Sequence, residues 1–447
     1  MANKQLNNLL DNLKTKNFDK IKTWLDTVHP VDLAEILTEL KDEEILAIYE
    51  LMDYEQLAEM IEEADEKAQI RLLKLLDLDE IIQVFSYMSA DNITDIMGNL
   101  PFNETKQLLK MMKEENAGTI RHLLGYYSDT AGGLMTTEFI ALKENLTTTE
   151  ALLKIKQIGP KTEIIETIFV VDESKRLVGT VDLRDILVAP DDQPLKEITD
   201  YNVISVLPGT DQEKVAMIVS KYDLTVIPVV NRRGVLIGII TVDDIIDVIE
   251  AENTEDMFKM VGINDEEQVI SPVRISIRKR LPWLYVNLIT AFTASFTIGL
   301  FEDVIAQVVI LATFLPIVAG LGGNSGQQSL AVMIRGLALG EIDFKNSKET
   351  LFKEILIGLI NGTAIGIVTG LIAYFWRGNF FIGLVIFLAM VINMVIGALM
   401  GSLIPLGLKA VGIDPALASS IFLTATTDTF GFLIFLLLSS LFLKFMI

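Results

Sequence analysis

Five long apolar stretches follow residue 280, and they decide what this chain can be: 281–301, 304–334, 355–376, 378–408 and 415–447. About 20 apolar residues cross a bilayer as a helix. A soluble core absorbs one such run but not five in succession, so the chain reads as an integral membrane protein. Charge sets the remainder apart. Of 37 basic and 60 acidic residues, 26 and 52 precede residue 271, which leaves the first part at about −26. Such a field repels nucleic acid and anionic lipid and attracts cations.

The basic residues around the spans give a direction. Arg274, Arg278, Lys279, Arg280, Arg335, Lys345, Lys348, Lys353 and Lys409 fall on one side, and only Arg377 and Lys444 on the other. Basic loops stay cytoplasmic, so the N-terminal part is expected inside and, after five spans, the C-terminus outside. The first 20 residues lack an apolar core and are not expected to act as a signal peptide. Cysteine is absent, which excludes disulfides and thiolate metal sites, and only His29 and His122 offer imidazole. Abundant carboxylates instead suit hard ions such as Mg²⁺ and Ca²⁺.

Three features of the spans go beyond lipid solubility. Gly362, Gly366 and Gly370, and likewise Gly397 and Gly401, repeat at four-residue spacing, which lets helices approach closely. The run Pro316-Ile-Val-Ala-Gly-Leu-Gly-Gly-Asn-Ser-Gly-Gln-Gln328 is expected to loosen its helix and free carbonyls along an aqueous path. Asp428, in Thr424-Ala-Thr-Thr-Asp-Thr-Phe-Gly431, is read as the only acid deep in any span. Thirteen residues after Pro415, it lies roughly 20 Å along its helix, near mid-membrane. A lone charge there costs on the order of 3 kcal/mol, so a functional role is the default. No buried Lys or Arg is available to neutralise it, and a cation is the natural partner. Two copies of Asp428 facing each other across a dimer axis would match a divalent, still hydrated ion.

The polar part divides again. Residues 1–130 carry short amphipathic segments with a period of about 24, the mark of a small helical superhelix. Residues 131–250 switch to β-branched strands alternating with helices and contain a duplication. Residues 168–187 align without gaps to 227–246 at seven of twenty identities, pairing Gly179 with Gly238 and Asp185 with Asp244. Each copy reads as strand, turn, strand, then a helix opened by Asp, and the pair resembles tandem cystathionine-β-synthase (CBS) domains. An acidic linker over 251–275, with Glu255 and Asp256 and, further on, Glu266 and Glu267, leads to the membrane part over 276–447.

Taken in order, helical repeat, CBS pair, linker helix and spans resemble the MgtE family of Mg²⁺ channels or transporters. The most specific motifs are Gly322-Gly-Asn-Ser-Gly-Gln327 after Pro316, and Asp414-Pro-Ala with Thr427-Asp428 and Gly431. The resemblance implies a multidomain membrane protein: a superhelical α N domain, an α/β CBS pair, a linker (plug) helix and an all-α domain of five spans. It implies a homodimer in the cytoplasmic membrane, in contact with lipid, that moves divalent cations and is not an enzyme. Asp428, with Asn324, Asp414 and Thr427, would line its Mg²⁺ pore. Cytosolic Mg²⁺ would hold that pore closed through Asp91 and Asp95, through Glu213, Asp223, Asp244 and Asp247 of the second CBS copy, and through Glu255 and Asp256. It also implies ATP between the CBS copies, where Arg184, Asp185 and Phe169 stand. A carrier coupled to H⁺ or Na⁺ is the alternative on the same fold. An intramembrane enzyme fits less well, because the apolar stretches offer no base–nucleophile pair. An anion channel is disfavoured by an unpaired acid in the membrane.

Overall fold

In a computed structural model of the chain, residues 2–159, 162, 164–263, 271–342, 347–417 and 419–447 are described. They form two compact units, Met1–Val248 and Ile249–Ile447. Lys345, Glu266 and Glu267 of the sequence reading lie outside the described residues.

The first unit opens with short helices: α1 (Ala2–Lys14), α2 (Phe18–Leu25), α3 (Pro30–Thr38), α4 (Asp42–Tyr49), α5 (Tyr54–Glu62), α6 (Glu66–Leu73), α7 (Leu78–Phe85), α8 (Ala90–Gly98), α9 (Phe102–Met111) and α10 (Glu114–Leu123). From α2 onward every second helix begins 24 residues later, at 18, 42, 66, 90 and 114, and the intervening set begins at 30, 54, 78 and 102. Alternate helices stack, α3 on α5, α5 on α7 and α7 on α9, with α6 on α8 and α8 on α10. A stripe of Ile45, Ile48, Met60, Ile61, Leu72 and Val84 is fully buried along the stack. Part of the acidity is architectural. Asp53, Asp65 and Asp77, twelve residues apart, accept from Gln56 N (2.9 Å), Ala68 N (2.8 Å) and Glu80 N (2.9 Å) at successive helix starts. Each such cap contributes about 1 kcal/mol.

After α11 (Ala131–Leu134) come β1 (Ala141–Lys143), α12 (Thr148–Ile158), β2 (Thr167–Val171), β3 (Leu177–Asp182), α13 (Leu183–Val188), α14 (Gln212–Tyr222), β4 (Val226–Val230) and β5 (Leu236–Thr241). The duplication is structural to the residue. β2 pairs antiparallel with β3 in the register Thr167↔Asp182, and β4 with β5 as Val226↔Thr241, each with a register shift at the equivalent Val170/Val171 and Val229/Val230. The copies embrace each other, since the segment before copy one bridges β5 (Thr136↔Ile239) and the segment before copy two bridges β3 (Thr180↔Asp200). One detail of the sequence reading changes. The residue that opens α13 is Asp182, accepting from Arg184 N at 2.7 Å, and Asp185 lies inside the helix.

α15 (Val242–Met260) carries the chain from the first unit into the second, where α16 (Val273–Gly299), α17 (Glu302–Gln307), α18 (Leu311–Ala338), α19 (Ser347–Arg377), α20 (Phe380–Ala410), α21 (Ser419–Leu441) and α22 (Leu443–Met446) follow. α16, α19, α20 and α21 are long and apolar enough to cross a membrane. The stretch 304–334, expected as one span, breaks at residues 308–310 between α17 and α18. α18 has the length, 28 residues, or about 42 Å, but its middle is Gly, Asn, Ser and Gln. One face of it is buried in protein, while Asn324, Gln327 and Gln328 are exposed. Leu311, Val318 and Leu330 are fully buried, and a helix inside a bundle has no need of an apolar surface all round.

The four-residue glycine spacing fixes the packing. Gly358, Gly362, Gly366 and Gly370 of α19 face Met394, Val391, Phe387 and Gly383 of α20 in antiparallel register. Gly397 and Gly401 of α20 meet the backbone of Gly322 and Gly326 so closely that neither could carry a Cβ. The expected loosening after Pro316 is overturned here. α18 is continuous helix through Pro316 and the glycines, because Gly322, Gly323 and Gly326 are consumed in helix contact and α20 braces the segment that the proline weakens.

Candidate ion path and regulatory carboxylates

Beside this bundle α21 runs past α18, with Leu423 against Gly326 and Thr427 Oγ1 against Gly323. Asp428 follows that contact on α21, half-buried, and Asn324 follows it on α18, exposed. Thr427 is fully buried, and its hydroxyl donates back to Leu423 O (3.1 Å) and Thr424 O (3.2 Å) of its own helix. Among the described residues no group of three His, Cys, Asp or Glu side chains could hold a metal ion. A single copy therefore offers Asp428 as an isolated carboxylate beside amides and carbonyls, suited to a hydrated cation and not to a stripped one.

Two polar residues of the bundle escaped the sequence reading. Asn393 of α20 is fully buried and donates Nδ2–H to Val318 O at 2.8 Å. Glu354 of α19 is 6 % exposed and its Oε2 accepts from Ser329 Oγ of α18 at 2.6 Å. Asp428 is thus not the only acid within a membrane-length helix. Glu354 was hidden because it stands one residue before the uncharged run that begins at Ile355.

Asp414, expected with the pore residues, is placed by the structure against the linker helix. It precedes α21, its Oδ1 accepts from Ala416 N (2.8 Å), and its Oδ2 accepts from Lys259 Nζ of α15 (2.8 Å). Lys259 also pairs with Glu255, and Ser420 Oγ donates to Met260 O at 2.7 Å. Asp256 lies in the same group. Burial first, then the neighbouring Asp414 and Glu252, push its carboxyl up to about 6. The end of the linker helix is thereby tied to the start of α21 through one lysine among several acids.

In the first unit the structure gathers Asp91, Asp95 and Asp244, and adds Glu62, Glu66 and Glu138. Asp91 is buried and its Oδ1 has no hydrogen-bond partner. Burial and then Asp91, Asp244 and Glu66 push Asp95 up to about 7. Burial, together with Asp243 and Asp91, holds Asp244 at about 6 despite a 2.6 Å hydrogen bond from Thr241 Oγ1. Glu62 and Glu138 are raised as well, burial leading in both and Asp91 adding repulsion. The group is thus a bare buried acceptor amid mutually repelling carboxylates. Glu213 is half-buried on α14, while Asp223 and Asp247 are exposed.

The nucleotide reading loses one member. Phe169 is 1 % exposed, packed in the core with Ile239 and edge-on to Phe139 at 6.1 Å between ring centres, so it has no face to offer a base. Arg184 and Asp185 are exposed on α13.

Family models agree with this layout. "MgtE intracellular N domain" matches residues 28–129, "CBS domain" matches 131–192 and 195–251, and MgtE, "Divalent cation transporter", matches 315–438. The chain is 37 % identical to a magnesium transporter MgtE of Enterococcus faecalis over 74 % of this chain and 73 % of that one. It is 33 % identical to that of Thermus thermophilus over 95 % of each. Among solved structures, the cytosolic domain of the Mg²⁺ channel MgtE in complex with ATP superposes with a TM-score of 0.52 at 33 % identity, covering 54 % of this chain and 98 % of that one.

Proposed function

This chain belongs to the MgtE family of magnesium transporters, and we propose that it passes Mg²⁺ through a pore on the axis of a homodimer, closed by cytosolic Mg²⁺. It is a transporter and not an enzyme. The observation that carries the pore is Asp428, half-buried within α21, a helix with no basic residue. One carboxylate under-neutralises a divalent ion, and a second copy supplies the other. The basic loops support a cytoplasmic N-terminus and an external C-terminus in the cytoplasmic membrane.

Feedback is supported by the two acidic groups. With no cation present the carboxylates around Asp91 repel one another, and binding shifts the protein toward its compact, closed form. Glu255, Asp256 and Asp414 would carry the signal at the end of the linker helix, with Glu213, Asp223 and Asp247 as further sensor acids. ATP bound to a relative's cytosolic domain supports a nucleotide near Arg184 and Asp185, held without stacking from Phe169.

The test is Mg²⁺ uptake by liposomes carrying the full chain, with graded Mg²⁺ on the face of the cytoplasmic domains. Saturable uptake that falls as this Mg²⁺ rises is the expected result, and indifference to it would remove the feedback. Glu255→Gln combined with Asp256→Asn should raise the half-inhibiting concentration about threefold. Unchanged inhibition would take this pair out of the sensor.

Glu354 favours a second reading. It is a buried acid at the edge of the apolar run of α19, where a carboxylate can carry a proton, so a carrier coupled to H⁺ would use it. Uptake driven by an imposed proton gradient in the wild type, and lost in Glu354→Gln, would select that reading over a channel.

A further inference from the structure

We propose that Asn393 is a positioning residue of the ion path, one that sets the spacing of α18 and α21 beside Asp428 and so selects which hydrated cation passes. The inference rests on the reading of Asp428 as the pore acid. It starts from a misfit. Asn393 is fully buried in a membrane-length helix, yet only its Nδ2 has a partner, Val318 O at 2.8 Å, while Oδ1 is buried without a donor. An apolar side chain would fill the site with no unmet acceptor, so packing alone does not account for an amide.

The surroundings say what the amide does. It is held between two glycines on two other helices. A Cβ on Gly431 of α21 would lie 2.6 Å from Asn393 Nδ2, and one on Gly322 of α18 would overlap the same atom. Gly431 is one turn beyond Asp428 on α21. Gly322 adjoins Gly323, which touches Thr427. The amide is therefore a spacer between the helix that carries Asp428 and the helix that carries Asn324, and its bond to Val318 O fixes it against α18. Mg²⁺ and Ca²⁺ differ in size and in how firmly they hold water, and a site that reads hydrated ions reads its own width.

The experiment uses the full chain in liposomes, with Mg²⁺ and Ca²⁺ uptake measured in parallel for wild type, Asn393→Leu and Asp428→Ala. Asn393→Leu should lower Mg²⁺ uptake about fivefold and move the Mg²⁺:Ca²⁺ ratio about threefold, because a site that reads hydrated ions depends on its width. Loss of both ions in equal proportion would reveal a merely structural residue, and unchanged uptake would reveal a neutral one; either overturns the proposal. Should Asn393→Leu not fold, Asn393→Ser, which is smaller and fits the slot, is judged by the same ratio. Asp428→Ala separates the two levels. If it abolishes uptake while the Asn393 variants change nothing, the pore reading stands and this inference falls. If it retains full uptake, both fall.

Discussion

Asp428→Ala is expected to lower Mg²⁺ uptake by about 100-fold or more while leaving a folded protein. The size follows from charge. A divalent ion about 5 Å from a carboxylate, at an effective dielectric of about 20, is held by several kcal/mol, and α21 contains no second acid to take over. The amide of Asn324 can replace ligand oxygens but not charge. Stability should move the other way, since an unpaired carboxylate in a span is itself unfavourable. The thermal midpoint of Asp428→Ala in detergent is therefore expected to equal or exceed that of the wild type. Asp428→Asn, which keeps the shape, should transport as poorly as the alanine variant. If either neutral variant moves Mg²⁺ at the wild-type rate, Asp428 is not the pore acid. A fall in both uptake and midpoint would mean that the side chain holds the helix and not the ion.

Much of the architecture was legible in the sequence because it is repetitive or periodic. The 24-residue spacing set helix starts that recur without drift, and seven identities in twenty residues carried over into identical strand registers. Glycines four apart showed where α19 and α20 touch. Legibility failed where one residue type serves two purposes. The glycines after Pro316 read as a loosened backbone, but Gly322, Gly323 and Gly326 are occupied by contact with α20 or α21, and a glycine gives the same signal in either case. Phe169 read as a possible stacking ring, yet it closes the seam between the two CBS copies. Asp414 shares a motif with Asp428 but stands before α21, where Lys259 reaches it. Glu62 and Glu138 were invisible in a region where most carboxylates cap helices or face water. Only the fold brings them to Asp91. Asn393 left no signal at all, because a lone amide in an apolar run acquires meaning only from the two glycines around it.

The Mg²⁺ concentration that half-saturates the cluster around Asp91 is expected to rise about tenfold between pH 8 and pH 6. Asp95 and Asp244, held up to about 7 and about 6, stand above the ordinary carboxylate value of 3.8. The folded form therefore binds protons more tightly than the unfolded chain. Protonation contributes stability in acid, and this contribution is lost as pH rises through about 6 to 7, where repulsion sets in. Mg²⁺ supplies the missing positive charge above that window and competes with protons inside it. A group that titrates near 7 is about one-tenth protonated at pH 8 and nine-tenths at pH 6, which weakens cation binding about tenfold. Asp95 is exposed to solvent, so screening makes this an upper figure. The measurement is a calorimetric Mg²⁺ titration of the full chain carrying Asp428→Ala, which removes the pore site from the signal. Adding Asp95→Asn should flatten most of the pH dependence while weakening binding at pH 8. A half-saturating concentration that is the same at both pH values would show that these carboxylates do not bind the regulatory cation, and would move the sensor to the linker acids Glu255, Asp256 and Asp414.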